Sequence, residues 1–161
     1  MLLIRKLLIN FSPKANLRHL GSYSKISAFT SGGFQELIDD SFAGEPSQVK
    51  KVLFCTGKIY FELAERQVKD NRKDIAILRL EQLYPLPTSQ LDEVYKKYNN
   101  ATWFWIQEEP LNMGAASFLQ MNLKNINYGF ISRQPGASPA TGYAKVHAQE
   151  QGEIIETAFN I

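Results

Sequence analysis

From residue 50 onward, the apolar residues of this chain follow two spacings that alternate along the sequence. Short runs of β-branched, aromatic and aliphatic residues predict strands, because almost every position in them is apolar and turn-forming or charged residues bound them. These runs are residues 51–56, 75–80, 101–106 and 128–132, of which the last is the weakest. Continuous apolar runs of this kind are typical of strands that are covered on both faces of a sheet.

The stretches between these runs have apolar residues at every third or fourth position, which predicts amphipathic helices. The first covers residues 58–71, with an apolar face made of Tyr60, Leu63, Ala64 and Val68. The second is expected to begin at the capping hydroxyls of Thr88 and Ser89, the third at Asn112, and the last covers residues 143–159. Strand and helix alternate four times. This order predicts a three-layer α/β fold, a mostly parallel sheet with helices on both faces.

The beginning of the chain lacks this pattern. Residues 10–46 are rich in serine, glycine, asparagine and lysine, and they contain only short apolar pieces. A long irregular arm is uncommon in a self-contained domain, so we expect this segment to pack on something outside the present chain. The 161 residues, 44% of them hydrophobic, are enough for one core of ordinary size, which predicts one compact domain after the arm.

Charge and cysteine content narrow the function classes. The 18 basic and 16 acidic residues are spread along the chain, so no segment has the dense basic footprint of a nucleic-acid binder, and we exclude that class. The single cysteine, Cys55, lies in an apolar run and is interpreted as a buried core thiol. No apolar stretch reaches the length of about 20 residues that spans a membrane, and the start does not resemble a secretory signal. The sequence therefore predicts a soluble, intracellular protein without a membrane partner.

Polar residues follow three of the predicted strands. In an open parallel α/β sheet, ligand sites lie outside the carboxyl ends of strands. Residues 56–58 (Thr-Gly-Lys) form either an anion-binding turn or a plain tight turn, since neither a Walker pattern nor G-x-G-x-x-G is present. Arg79 favours a salt bridge with Glu81 over a ligand contact. Glu108 and Glu109 are interpreted as a cap or as ion-pair partners rather than as an acid–base pair.

The two histidines, His19 and His147, have no serine, cysteine or second metal ligand at a diagnostic spacing. We interpret both as capped or surface histidines. The residues alone therefore predict no catalytic, cofactor-binding or metal-binding residue in this chain. They support a small α/β domain with one polar edge.

Six motifs, taken together and in this order, resemble the carboxyl-terminal part of the E1 component of 2-oxoglutarate dehydrogenase. They are residues 11–14 (FSPK), 17–19 (LRH), 56–60 (TGKIY), 77–85 (ILRLEQLYP), 107–114 (QEEPLNMG) and 137–143 (ASPATGY). The resemblance runs from about residue 7 to residue 159. It implies that residues 1–46 are the end of a preceding pyrimidine-type domain and a connector arm, and that residues 47–161 are a transketolase C-terminal-like domain.

The resemblance also implies an activity for the full-length enzyme. Such an E1 uses thiamine diphosphate and Mg²⁺ to decarboxylate 2-oxoglutarate oxidatively and transfers the succinyl group to a lipoyl arm of E2, in a multienzyme complex of the tricarboxylic acid cycle. It is cytoplasmic, or in the mitochondrial matrix of a eukaryote. The family's Gly-Asp-Gly motif and catalytic histidines lie in upstream domains, and no Gly-Asp-Gly string occurs here. We therefore expect the isolated chain to be inactive and to bind neither cofactor.

The implied partners are the remainder of E1, a second E1 copy in a homodimer, and the E2 dihydrolipoyl succinyltransferase. Some relatives carry an acyl-CoA or nucleotide effector site in this domain. If that carries over, Thr56, Lys58 and Arg79 are the candidate effector-binding residues, because all three lie at predicted strand ends. One alternative is a stand-alone acyl-CoA or nucleotide binding module, which would order the arm against its own core. Another is a structural subunit that only completes a dimer.

Overall fold

The computed structural model describes residue 9 and residues 11–160. Residues 1–8 and 10 of the predicted arm, and residue 161, lie outside the described residues. The chain divides into two compact units, one ending at Gly33 and the other beginning at Phe34. We describe each unit by itself.

The first unit consists of short helical turns. Two 3-10 helices span Lys14–Leu17 and Leu20–Ser22, and α1 spans Ile26–Thr30. None of these three elements contains a buried residue. The large apolar side chains that are exposed in this part are Ile9, Phe11, Leu17, Leu20, Tyr23, Ile26 and Phe29. The described residues of this unit therefore form no core of their own.

The second unit is an α/β sandwich. Its elements, in chain order, are β1 (Leu37–Ile38), a 3-10 helix (Pro46–Gln48), β2 (Lys51–Cys55), α2 (Ile59–Lys69), β3 (Ile75–Leu80), α3 (Thr88–Lys97), β4 (Thr102–Pro110), α4 (Ala116–Asn122), β5 (Tyr128–Arg133) and α5 (Ala144–Asn160). The strand order is β1-β3-β2-β4-β5. Strands β2 to β5 run parallel to their neighbours, and only the short β1 pairs antiparallel, with β3.

Two apolar clusters lie on opposite faces of the sheet. Val52 and Phe54 of β2 face the cluster that contains α3 and α4, whereas Leu53 and Cys55 face the cluster that contains α2 and α5. Alternate residues of a strand point to opposite faces, so a strand covered on both sides must be apolar at every position. The predicted three-layer α/β fold is confirmed. No helix in the described part of the chain is long and apolar enough to cross a membrane.

The buried face of α2 differs from the predicted one. Val68, which was predicted to face the core, is 56% exposed. The adjacent Gln67 is buried instead and is only 2% exposed. The amide of Gln67 donates hydrogen bonds to the Ile75 carbonyl at 2.7 Å and to the Asp40 carboxylate at 2.7 Å. Because its polar atoms are satisfied, a glutamine can occupy this position without a large desolvation cost.

Residues 34–46, which were assigned to the connector arm, pack against the sheet in the structure. Asp40 accepts a hydrogen bond from the main-chain N–H of Ile77 at 2.7 Å, in addition to the one from Gln67. Asp39 accepts a hydrogen bond from the Tyr98 hydroxyl at 3.0 Å. These bonds place the segment with the second unit. The domain boundary at residue 46 stays a prediction.

Candidate functional site

The sheet reverses its direction of winding at β2. The chain goes from β2 to β3 on one side, and after α3 it enters β4 on the other side of β2. In open α/β sheets, the crevice outside the carboxyl ends of the strands at such a switch point is the usual ligand site. Here that crevice lies between Cys55 of β2 and Ile106 of β4, which are paired in register. We call it the switch-point crevice.

An ion pair spans the switch-point crevice. Gly57 turns the chain out of β2 with a φ of +74°, a conformation that favours glycine, and this brings Lys58 to the start of α2. The Lys58 ammonium contacts the Glu108 carboxylate of β4 and lies 3.7 Å from Glu62. The side chains of Lys58 and Glu108 are 35% and 18% exposed, so both charges are accessible from solvent. The interpretation of Glu108 as an ion-pair partner is confirmed.

Arg79 lies on the other side of β2, near the end of β3. Its Nε is 2.9 Å from a carboxylate oxygen of Glu81, so the predicted salt bridge is present. Its guanidinium also lies over the ring of Tyr60, 4.5 Å from the ring centroid. Burial raises the pKa of the Tyr60 hydroxyl, and the adjacent Arg79 charge opposes that effect. Thr56 is half-buried directly after β2. The three candidate effector residues thus lie at neighbouring strand ends, but Lys58 and Arg79 are held by different carboxylates.

Arg133, at the end of β5, makes contacts that the sequence analysis did not predict. It links the carboxyl ends of β4 and β5 to helix α5. Its side chain is 7% exposed, and its guanidinium donates hydrogen bonds to the Glu108 carbonyl and, at 3.2 Å, to the Gln151 amide oxygen. It also lies 2.9 Å from the Glu150 carboxylate and 3.2 Å from Nδ1 of His147. The only sequence signal was a charged residue ending a weak strand, which by itself does not identify its partners.

A continuous polar network results from these contacts. Gln151 of α5 donates a hydrogen bond to Glu62 of α2 at 3.0 Å, and Glu62 lies near Lys58. The network formed by Lys58, Glu62, Glu108, Arg133 and Gln151 therefore connects β4 and β5 to α2 and α5, the two helices that cover one face. It holds Lys58 in place at the mouth of the crevice. Chemically, it can present one accessible cation to an anion if Glu108 releases it.

Strand β4 is longer than predicted. It continues through Gln107, Glu108 and Glu109 to Pro110, with a register irregularity against β5 between Ile106 and Pro110. A bulge leaves main-chain groups without ladder partners, and such bulges are common beside functional sites. Here the Glu108 carbonyl is satisfied by Arg133, and the carbonyls of Glu109 and Pro110 accept from the Gln107 amide at 3.2 and 3.0 Å.

Two predicted helix caps are wrong. Helix α3 begins at Thr88 with Pro87 at its N-cap, and no side chain caps it. Helix α4 begins at Ala116, four residues after Asn112. Asn112 instead exchanges two hydrogen bonds with Gly136, at 3.0 and 3.1 Å, and joins the loop after β4 to the loop after β5. The main-chain N–H of Ala116 donates to the side-chain oxygen of Gln107 at 3.1 Å, which replaces the cap.

Neither an accessible thiol nor a group of metal ligands is present at this edge among the described residues. Cys55 is fully buried, as predicted, and burial raises the pKa of its thiol to about 12, so it is protonated at neutral pH. Within residues 9 and 11–160, no group of three or more His, Cys, Asp or Glu side chains is arranged to hold a metal ion. The described residues of this edge therefore bring charged side chains together, with Lys58 next to Glu62 and Glu108, and Arg133 next to Glu150.

Comparison with known proteins identifies the family. Residues 23–159 match the family described as 2-oxoglutarate dehydrogenase C-terminal. The chain belongs to this family. Among its relatives, the multifunctional 2-oxoglutarate metabolism enzyme of Mycolicibacterium vanbaalenii is 41% identical over 167 residues, covering 97% of this chain and 13% of the relative.

Two further relatives agree. The 2-oxoglutarate dehydrogenase E1 component of Haemophilus influenzae is 36% identical over 163 residues, covering 98% of this chain and 17% of the relative. The oxoglutarate dehydrogenase of Buchnera aphidicola is 38% identical over 165 residues, covering 99% of this chain and 18% of the relative. The chain thus spans less than a fifth of the length of the curated relatives that it matches.

In this 2-oxoglutarate dehydrogenase C-terminal domain, the string at residues 107–114 has a structural explanation. The Gln107 amide donates a hydrogen bond to the Pro110 carbonyl in the bulge, and Glu108 pairs with Lys58. Asn112 joins the loop after β4 to the loop after β5. Gly114 has a φ of +62°, and a Cβ there would lie 3.1 Å from the Gln107 side-chain oxygen. These residues build the carboxyl edge of the sheet, so the motif that carries the resemblance is a scaffold for the site.

Proposed function

We propose that this chain is the carboxyl-terminal part of a 2-oxoglutarate dehydrogenase E1. The complete enzyme decarboxylates 2-oxoglutarate oxidatively and transfers the succinyl group to lipoyl-E2 in the tricarboxylic acid cycle. The observation that carries the proposal is the family match over residues 23–159, together with relatives 36–41% identical over 97–99% of the chain. The proposed location is the cytoplasm, or the mitochondrial matrix in a eukaryote.

The residues of the polar edge do not fit thiamine diphosphate and its Mg²⁺. A diphosphate-bound Mg²⁺ needs carboxylate or amide oxygen ligands. Two of the carboxylates at this edge are already engaged, Glu108 by Lys58 and Glu81 by Arg79. The described part of the chain holds no metal-ligand cluster either. In our proposal, the remainder of E1 therefore supplies cofactor binding and catalysis, and the isolated chain is inactive.

The proposed role of this part is packing within E1. Phe11, Leu20, Ile26 and Phe29 are 79–93% exposed. Exposed apolar side chains at this density usually mark surfaces that another protein segment covers. In our proposal, the remainder of E1 and a second E1 copy cover these side chains. E2 is the proposed partner of the complete enzyme.

A chimera tests the proposed function. In the Haemophilus influenzae E1 component, the matching carboxyl-terminal segment is replaced by this chain. The 2-oxoglutarate-dependent turnover of this chimera is compared with that of the parent enzyme and of a cut version, the parent truncated at the junction. We expect the chimera to be active within about tenfold of the parent and the cut version to be inactive. A chimera that is folded and dimeric but as inactive as the cut version would contradict the proposal, and so would turnover by the isolated chain.

A second, finer proposal is that Thr56, Lys58 and Arg79 contact the phosphates of an acyl-CoA or nucleotide effector. It is supported by the accessible Lys58 charge at the switch-point crevice and by the main-chain turn at Gly57. An anion must compete with Glu108 for Lys58, so removal of the Glu108 charge should strengthen binding.

Isothermal titration with acetyl-CoA tests this effector proposal. We expect Arg79→Ala and Lys58→Ala each to weaken binding by about tenfold, and Glu108→Gln to strengthen it several-fold, because charge-assisted hydrogen bonds to phosphate are worth about 1.5–3 kcal/mol. Lys124→Ala, at an exposed lysine away from the strand ends, is the control and should leave binding unchanged. Absence of binding heat with the unmutated chain would end the effector proposal without affecting the proposed enzyme family.

A further inference from the structure

Strand β5 ends the sheet, with β4 as its one strand neighbour in the part of the chain that the structure describes. The N–H of Leu111 donates to the Arg133 carbonyl at 3.0 Å from the β4 side. Main-chain groups alternate in direction along a strand, so those of Phe130 and Ser132 point away from β4. An edge strand with unpaired N–H and C=O groups is a template for another extended chain.

This edge opens into a groove of about 810 Å³. One side is formed by residues 130–138 and 140–142 of β5 and the loop after it, together with Pro110 and Leu111 at the end of β4, and the other by Glu150, Glu153, Ile154 and Thr157 of α5. The groove is therefore bounded by the last part of β5, by the loop that follows it and by the side chains of one helix. A main-chain wall of this kind suits an extended peptide better than a compact small molecule, since it offers hydrogen bonds at regular spacing.

The groove has a net negative charge. Its charged lining residues are Arg133, Glu150 and Glu153. The Arg133 charge is balanced by Glu150, whose carboxylate lies 2.9 Å from it. Glu153, one helical turn further along α5, is exposed and accepts a hydrogen bond from the neutral amide of Gln149 at 2.9 Å. The groove thus offers one uncompensated carboxylate, although the whole chain has a formal net charge of +2.

We propose that β5 binds an extended peptide segment of a partner protein by strand addition, and that a basic side chain of this segment pairs with Glu153. Apolar side chains of the peptide would alternate with the basic one and contact Phe130, which packs on the face of the sheet opposite to α5. Charge complementarity favours this occupant over a second copy of the chain. A two-fold pairing of β5 with itself would bring two net-negative grooves together.

The test uses the whole chain, labelled with ¹⁵N, and a capped nine-residue peptide of alternating threonine and valine with one central lysine. We expect saturable shifts of the Phe130 and Ser132 amide signals. A peptide with glutamate in place of lysine should bind about fivefold more weakly, which is the upper range for one exposed ion pair. A peptide that is N-methylated along one edge should bind at least about tenfold more weakly, because it loses two or more main-chain hydrogen bonds.

Protein variants provide the matched comparison. Glu153→Lys should weaken binding of the lysine peptide about fivefold, whereas Glu93→Lys, at an exposed position of α3, should leave it unchanged. Amide shifts absent at millimolar lysine peptide would overturn the proposal, and so would equal affinities for the lysine and glutamate peptides. If the chain dimerises as its concentration rises, and the amide signals that shift are those of β5, this edge binds a second copy of the chain. That result would also overturn the proposal.

Discussion

Gln107 is predicted to be the side chain whose loss damages the carboxyl edge most. It is 3% exposed and makes five hydrogen bonds. Its oxygen accepts from the Trp105 indole N–H at 2.8 Å and from the Ala116 N–H at 3.1 Å. Its amide nitrogen donates to three main-chain carbonyls. Gln107→Leu keeps a similar volume but removes both the acceptor and the donors.

The size of the effect follows from the groups left unpaired. Each buried donor that loses its acceptor costs about 1–3 kcal/mol, and Gln107→Leu leaves two such donors, the Trp105 indole and the Ala116 main chain. The added apolar burial of leucine offsets part of this cost. We expect the free energy of unfolding to fall by about 2–5 kcal/mol. Gln107→Glu should be at least as damaging, because a carboxylate has no proton to donate to the Pro110 and Met113 carbonyls.

Urea unfolding at pH 7 measures the change. The two tryptophans of the chain, Trp103 and Trp105, are buried and report unfolding by fluorescence. At a slope of about 2 kcal/mol per M, a loss of 3 kcal/mol lowers the midpoint by roughly 1.5 M. Gln120→Leu, at an exposed position of α4, is the control and should change stability by less than about 0.5 kcal/mol. If Gln107→Leu costs less than about 1 kcal/mol with an unchanged slope, the hydrogen bonds of Gln107 do not hold this edge together.

Three further predictions concern other groups. Gly114→Ala should cost about 1–2 kcal/mol, because Gly114 has a φ of +62° and a Cβ would lie 3.1 Å from Gln107 and Glu109 oxygens. Gly152→Ala in α5, where a Cβ meets no atom of the described residues within 4 Å, should instead stabilise the protein by about 0.5–1 kcal/mol. If urea unfolding shows that both substitutions change the free energy of unfolding in the same direction, this comparison is refuted. Burial raises the pKa of Cys55 to about 12, so iodoacetamide at pH 9 should modify it only as fast as the chain unfolds; rapid labelling of the native protein would show an accessible thiolate. The hydrogen bond from Arg72 lowers the pKa of Asp74, so its contribution to stability is present above about pH 4 and is lost as the pH falls through the folded pKa. Because the pair is partly exposed, Asp74→Asn should cost less than about 1 kcal/mol at pH 7. This cost should shrink as the pH falls below about 4, and a cost that does not change with pH would point to another cause.

Elements with a strong apolar signal were predicted well. The runs at residues 51–56 and 75–80 are β2 and β3, and the last helix, predicted over residues 143–159, is Ala144–Asn160. The burial of Cys55 and the pairing of Arg79 with Glu81 are also confirmed. These features depend on periodicity or on neighbours two residues apart, so local sequence contains the information they need.

Features that depend on distant partners were missed. Gln67 rather than Val68 is buried because Asp40, far away in the chain, satisfies its amide. The end of β4 was placed too early because the bulge that extends it is stabilised by Arg133 of β5. Asn112 was assigned to a helix cap, but its partner is Gly136 in another loop. A polar residue has several local uses, and only the three-dimensional arrangement selects one of them.

Local patterns along the chain are sufficient for the three-layer α/β class, the apolar strands of the core and membership of the 2-oxoglutarate dehydrogenase C-terminal family. Hydrophobic burial requires only that each element be apolar at the right spacing, and that spacing is visible along the chain. The meeting of Lys58, Glu108 and Arg133 at this end of the sheet, and the acidic groove beside β5, became visible only in three dimensions. Ion pairs and hydrogen bonds act over a few ångströms, so they depend on which strand ends the fold brings together.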